Sequence, residues 1–93
     1  MIRHMVMWKF RPGTEAQQAE FLARLQGLYG VIPQLRACEV HRNTGNGNYD
    51  AMLVSQFDSL EDLETYRTDP RHQAVSALCK AIRESRASVD YEV

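Results

Sequence analysis

The sequence predicts an α+β fold, one antiparallel sheet with its helices on a single face, and three observations carry that expectation. Apolar residues alternate near the start, in the middle and at the extreme end of the chain, segments of helical period separate these stretches, and the strongest turn signal joins the second and third of them. At 93 residues the chain holds one core, so residues 1–93 are read as one domain. An apolar share of 44% with 25% charged residues is that of a globular chain rather than a disordered, collagenous or coiled-coil one.

The first strand runs from Ile2 to Arg11, with Ile2, His4, Val6, Trp8 and Phe10 on one side and Arg3, Met5, Met7 and Lys9 on the other. A strand apolar on both sides needs cover on both, helices on one and a second sheet or subunit on the other. Pro12-Gly13 breaks the strand, and Thr14 with Gln17 three residues on reads as a capping box. Phe21, Leu22, Leu25, Leu28 and Tyr29 then form one apolar stripe, and Gly30 is placed to end the helix. Leu35 to Arg42 reads as the second strand and Tyr49 to Phe57 as the third, joined through the turn-forming residues Asn43 to Asn48. In the third strand Met52 and Val54 share a face opposite Tyr49, Ala51, Leu53 and Phe57.

Ser59 with Asp62 caps a short helix that carries Leu60, Leu63 and Tyr66. Asp69-Pro70 stops it and opens another, because Asp caps well and Pro suits the first helical position. That last helix turns Val75, Leu78, Ala81 and Ile82 inward and fades near Ser85. Ala87 to Val93 alternate again as a fourth strand. The order β-α-β-β-α-α-β is the split-βαβ or ferredoxin-like plan, with helices on one sheet face. Its other face is apolar and bare in a monomer, so a homodimer through paired sheet faces is expected.

Eleven Lys and Arg against twelve Asp and Glu leave a formal charge of −1, which supplies no field for nucleic acid or an anionic membrane. Cys38 and Cys79 lie far apart in no Cys-x-x-Cys arrangement, which reads as two reduced thiols in a cytoplasmic protein. The apolar run Met5 to Trp8, between His4 and Lys9, is too short for a signal-peptide core or a spanning helix, so no membrane partner is expected. His4, His41 and His72 share no ligand spacing and pair with no Cys, so no metal is expected. Gly45 and Gly47 read as a turn, not a phosphate cradle, since no helix opens after them. His41 reads as an exposed strand-end residue, and Arg83 and Arg86 near Glu84 as a solvated helix end. Trp8 and Phe10 with Phe21 and Tyr29 make either plain core or an aromatic pocket wall.

Arg3-His4-Met5-Val6-Met7-Trp8-Lys9-Phe10, Gly30-Val31-Ile32-Pro33, Phe57-Asp58-Ser59, Tyr66 followed by Asp69-Pro70-Arg71-His72, and Val89-Asp90-Tyr91 together resemble the stress-responsive A/B barrel (Dabb) family over nearly the whole chain. The resemblance implies a ferredoxin-like protomer that pairs into a dimeric α/β barrel. One plant member of that family is a polyketide cyclase that closes a linear chain by an aldol reaction without a cofactor. Tyr66 and His72 resemble its tyrosine and histidine, Asp90 its histidine-orienting aspartate, and His4 a further histidine. Ala51 stands where the cyclase has another histidine, and most of its aromatic pocket residues are replaced, so its substrate does not carry over.

Those residues set out a chemistry. His72 titrates near neutrality and is the candidate base at a carbon beside a carbonyl. Asp90 is its candidate orienter and Tyr66 a donor to the developing enolate oxygen. His4, Val6, Trp8 and Phe21 are the candidate walls of a substrate pocket for a small hydrophobic ligand, with no cofactor expected. The alternatives are a non-catalytic stress-associated or ligand-binding dimer, in which His72 and Asp90 simply lock the last strand, and a relative of the quinol and antibiotic-biosynthesis monooxygenases that share the barrel.

Overall fold

A computed structural model describes residues 1–45 and 47–93. Its elements are β1 (Ile2–Phe10), α1 (Glu15–Gln26), β2 (Ala37–Arg42), β3 (Ala51–Phe57), α2 (Leu60–Thr68), α3 (Pro70–Ile82) and β4 (Arg83–Glu92). The strands form one antiparallel sheet in the order β2-β3-β1-β4, so the two ends of the chain lie side by side, Ile2 opposite Glu92. This is the expected ferredoxin-like α+β plan.

Burial alternates without a break along β1 and β3, as a sheet covered on one face requires. Ile2, His4, Val6, Trp8 and Phe10 of β1 are buried with Ala51, Leu53, Ser55 and Phe57 of β3. Phe21, Leu22 and Leu25 bring α1 onto that layer, Leu63 and Tyr66 bring α2, and Val75, Cys79 and Ile82 bring α3. Trp8 meets Phe21 edge to face at 5.1 Å between ring centroids, and Phe10 meets the same ring at 6.2 Å. Burying side chains of this size contributes roughly 1.5–3 kcal/mol each, which fixes α1 against β1.

The opposite face is formed by Arg3, Met5 and Met7 of β1 in register with Gln56, Val54 and Met52 of β3 and with Tyr91, Val89 and Ala87 of β4. No element among the described residues covers it, and Val89 is 53% exposed. Buried among these residues, the Arg3 Nε has no hydrogen-bond partner among the described residues.

Several local readings change. Helix α1 ends at Gln26 rather than before Gly30. Leu28 and Tyr29 bond back to Leu25 and Gln26, three residues earlier. That tighter winding turns Tyr29 off the stripe, leaving it 54% exposed and outside the aromatic cluster, while Gly30 takes the left-handed φ of +86° in the following turn. The Thr14–Gln17 capping box does not form. Thr14 Oγ1 donates to the Arg11 carbonyl at 2.6 Å and accepts from Gln18 Nε2 at 3.0 Å, so the tie is one residue further along. The Ser59 and Asp69 caps do form, on the backbone N–H of Asp62 and of Arg71. Strands β2 and β3 are each shorter than read, starting at Ala37 and Ala51, and Asn46 at the centre of the predicted turn lies outside the described residues.

The largest change is at the end of α3. Ala81 is exposed and Cys79 takes the inward place, the helix stops at Ile82, and β4 starts at once with Arg83. Arg83 and Arg86 are therefore strand residues, not a solvated helix end. Arg86 lies opposite Trp8 and Asp90 opposite His4, on the helix-covered side.

Candidate functional site

A cavity of about 320 Å³ opens between α3 and the β1–β4 half of the sheet. Its apolar walls are Val6, Trp8, Phe21, Leu25 and Leu53, and His4 and His72 line it from the sheet and from α3. The size lies at the lower end of the range for small-molecule sites. Five of the seven residues proposed from sequence, His4, Val6, Trp8, Phe21 and His72, thus meet at one place. The other two, Tyr66 and Asp90, stand behind the histidines and do not line the cavity.

The pairing differs from the expected one. Asp90 is the cross-strand partner of His4, and its Oδ1 accepts from His4 Nδ1. Its Oδ2 accepts from Arg67 Nη2 at 3.2 Å, so one carboxylate holds an imidazole and a guanidinium. Register places Asp90 on His4, and His72 turns instead to the backbone, its Nδ1 donating to the Arg67 carbonyl at 3.2 Å. A carbonyl only accepts, so Nδ1 carries the proton and Nε2 keeps the lone pair in the neutral ring. The carboxylate imposes the same tautomer on His4.

Burial lowers the pKa of both rings. At His4 it outweighs the hydrogen bond and charge of Asp90, and Arg67 and Arg86 oppose a further positive charge nearby. At His72 the bond to the Arg67 carbonyl works the other way without prevailing. Both imidazoles are therefore neutral and basic at neutral pH.

Tyr66 is not placed as an enolate donor. It is 1% exposed, its ring packs behind His72 at 4.4 Å between centroids and against Phe57 at 5.0 Å, and its hydroxyl is buried with no hydrogen-bond partner among the described residues. Burial raises its pKa, which leaves the phenol protonated.

The site also holds residues that sequence reasoning missed. Ser76, Cys79 and Lys80 follow His72 at four, seven and eight residues, which is one face of α3, and Arg67, Arg83 and Arg86 complete the lining. The signal was present as helical period from His72 onward and as strand period in Arg86, Ser88 and Asp90. It was hidden by placing the helix end too late. No three His, Cys, Asp or Glu side chains gather into a metal-binding group among the described residues. Neither cysteine is in a disulfide, and burial lifts Cys38 to about 11. No described helix is long and apolar enough to cross a membrane.

The architecture and sequence can be placed among known proteins. An uncharacterized protein of Streptomyces coelicolor is 34% identical over 83 residues, covering 84% of this chain and 86% of that protein. A dimeric protein of unknown function and ferredoxin-like fold from Bacteroides fragilis is 32% identical, with a TM-score of 0.91 over 99% of this chain and 95% of that one. A dimeric ferredoxin-like protein from Thermobifida fusca is 25% identical, with a TM-score of 0.89 over 99% and 90% of the two chains. The hydroxynitrile lyase of Passiflora edulis, at 15% identity and a TM-score of 0.88 over 99% and 92%, shares the fold. The family model of the stress-responsive A/B barrel domain matches residues 2–93, and with the βαββααβ sheet and its dimeric ferredoxin-like neighbours this chain belongs to the stress-responsive A/B barrel (Dabb) family.

Proposed function

We propose that this protein is a homodimer that binds a small carbonyl compound in the cavity of each protomer and moves a proton on it with His4 and His72, in aldol or cyclisation-type chemistry. The observation that carries the reading is that two neutral imidazoles, each with Nδ1 already engaged, line one cavity beside the apolar walls of Val6, Trp8, Phe21, Leu25 and Leu53. A general base needs an available lone pair, a pKa near the working pH and a dry neighbour to hold the substrate.

The better supported base is His4. When it takes a proton from the carbon beside a carbonyl, Asp90 stabilises the imidazolium, the role an orienting carboxylate plays in a triad. The C–H electrons form the enolate, whose oxygen meets a donor from Arg67 or from Ser76, one turn beyond His72. The enolate carbon attacks a second carbonyl of the same molecule, and the new alkoxide takes back the proton held by the His4 imidazolium, directly or relayed through the Nε2 lone pair of His72, so that both imidazoles end neutral. Every atom and charge is accounted for by these side chains and the substrate. The fold itself does not select the reaction, since the same architecture serves a lyase in Passiflora edulis.

Dimerisation completes the sheet. The uncovered face holds Met5, Met7, Met52 and Val54 at its centre and an Arg3 Nε without a partner among the described residues, and a second copy supplies apolar cover and an acceptor. Two solved relatives of the same fold are dimers.

Proton transfer is read directly as deuterium uptake. Aryl methyl ketones and 1,3-diketones are incubated with the protein in D2O, and α-proton signals are followed by NMR. Uptake above the buffer rate that falls in His4→Gln and His72→Gln supports the proposal. Compounds that bind, by chemical-shift change, yet exchange no faster than in buffer leave a binding protein and overturn the catalytic step.

A further inference from the structure

We infer that the cavity is built for an organic anion, a molecule with an apolar body and a carboxylate, and that Arg83, Arg86 and Lys80 receive its charge. The inference rests on the cavity being a ligand site, as proposed above, and adds the class of ligand.

The chain as a whole is slightly acidic, yet four cationic side chains, Arg67, Lys80, Arg83 and Arg86, line this one cavity, and no carboxylate lines it. Among the described residues only Arg67 of the four has an acidic partner, Asp90 at 3.2 Å and Glu64 at 3.8 Å. Lys80, Arg83 and Arg86 have none within 4.0 Å. Like charges gathered at a partly dry opening repel one another, and an anion seated between them relieves that repulsion while gaining charge-assisted hydrogen bonds. The strain is visible at Arg86, whose hold on its proton is weakened first by burial and then by Arg83 and Arg67.

The fold explains why these groups converge. Lys80 sits in the last turn of α3 and Arg83 directly after it, where the helix carbonyls favour positive charge. β4 then begins without a loop, and its helix-side period brings Arg86 to the same opening, opposite Trp8. Lys80, Arg83 and Arg86 thus come from the α3–β4 junction, and the apolar walls from β1, α1 and β3. An amphipathic ligand lies with its body on Trp8 and Phe21, its carboxylate at Arg83 and Arg86, and its middle beside the two histidines.

A matched pair of probes separates charge from shape. Binding of 2-naphthoate and of the near-isosteric neutral 2-naphthamide to the intact protein is measured by calorimetry at low salt and again at high salt. The expected result is about tenfold tighter binding of the carboxylate, shrinking with salt, and loss of the preference in the Arg83→Gln/Arg86→Gln double variant but not in Arg24→Gln on the outer face of α1. Equal affinity for the two probes in the wild type overturns the anion assignment and leaves the ligand-site reading standing. Failure of both probes to bind overturns both.

Discussion

Asp90 and His4 face each other across β1 and β4, and the carboxylate holds the imidazole Nδ1 while its second oxygen holds Arg67. This triad joins the two chain ends to α2 at the cavity wall, with His4 and Arg67 in the lining and Asp90 behind them. It makes His4, rather than His72, the histidine with a built-in counter-ion.

Replacing Asp90 with Asn is expected to lower the pKa of His4 further, since the lost hydrogen bond and charge both raise it, and to leave His72 where it is. Side-chain NMR titration of both rings decides it. A shift at His72 with none at His4 would contradict the pairing. Because the Asp90 side chain is 31% exposed, the stability cost is expected to be only about 1 kcal/mol.

Acid sensitivity follows from the same histidines. Both have folded pKa values below the ordinary 6.5, so between those values and 6.5 the unfolded chain binds more protons than the folded one. Their contribution is full above pH 6.5 and lost as the pH falls through the lowered values. Denaturant midpoints measured stepwise downward from pH 7.5 should fall in that window, and less steeply in His4→Gln and His72→Gln. Asp69, held at about 2 by hydrogen bonds to Arg71, adds a second loss at lower pH, from 3.8 downward.

Tyr66→Phe separates a packing role from a chemical one. Its hydroxyl is buried without a partner among the described residues, so removing it is expected to be neutral or to stabilise by up to about 1 kcal/mol, with deuterium uptake retained. Tyr66→Ala removes the ring beneath His72 and is expected to cost about 3–5 kcal/mol. Loss of activity in Tyr66→Phe at unchanged stability would restore the phenol as a donor to substrate.

Sedimentation equilibrium of the wild type is expected to give twice the chain mass. Val54 lies on a central strand of the uncovered face, opposite Met5, so Val54→Lys is expected to shift the species toward monomer without unfolding it, as judged by far-UV circular dichroism. A wild-type monomer at micromolar concentration would overturn the paired-sheet arrangement.

Much of this molecule was legible in local sequence, because the signals that specify its elements act over a few residues. The unbroken alternation of Ile2 to Phe10, the Asp69-Pro70 helix start and the Ser59 cap each follow from local backbone chemistry, and with the order of elements they determined the ferredoxin-like plan and the bare sheet face. The cavity walls His4, Val6, Trp8 and Phe21 were legible too, since strand and helix period assign them to the covered side. What the tertiary structure decided were the long-range pairings. The partner of Asp90 is 86 positions away and depends on the register of β4 against β1, which no local pattern encodes and in which a one-residue slip would reverse the face. Whether Tyr66 reaches the cavity or lies under His72 depends on how α2 and α3 pack, and the gathering of Arg83 and Arg86 with Lys80 depends on a helix that ends directly into a strand. Side chains far apart in sequence acquire a chemistry only when the fold brings them within a hydrogen bond of each other.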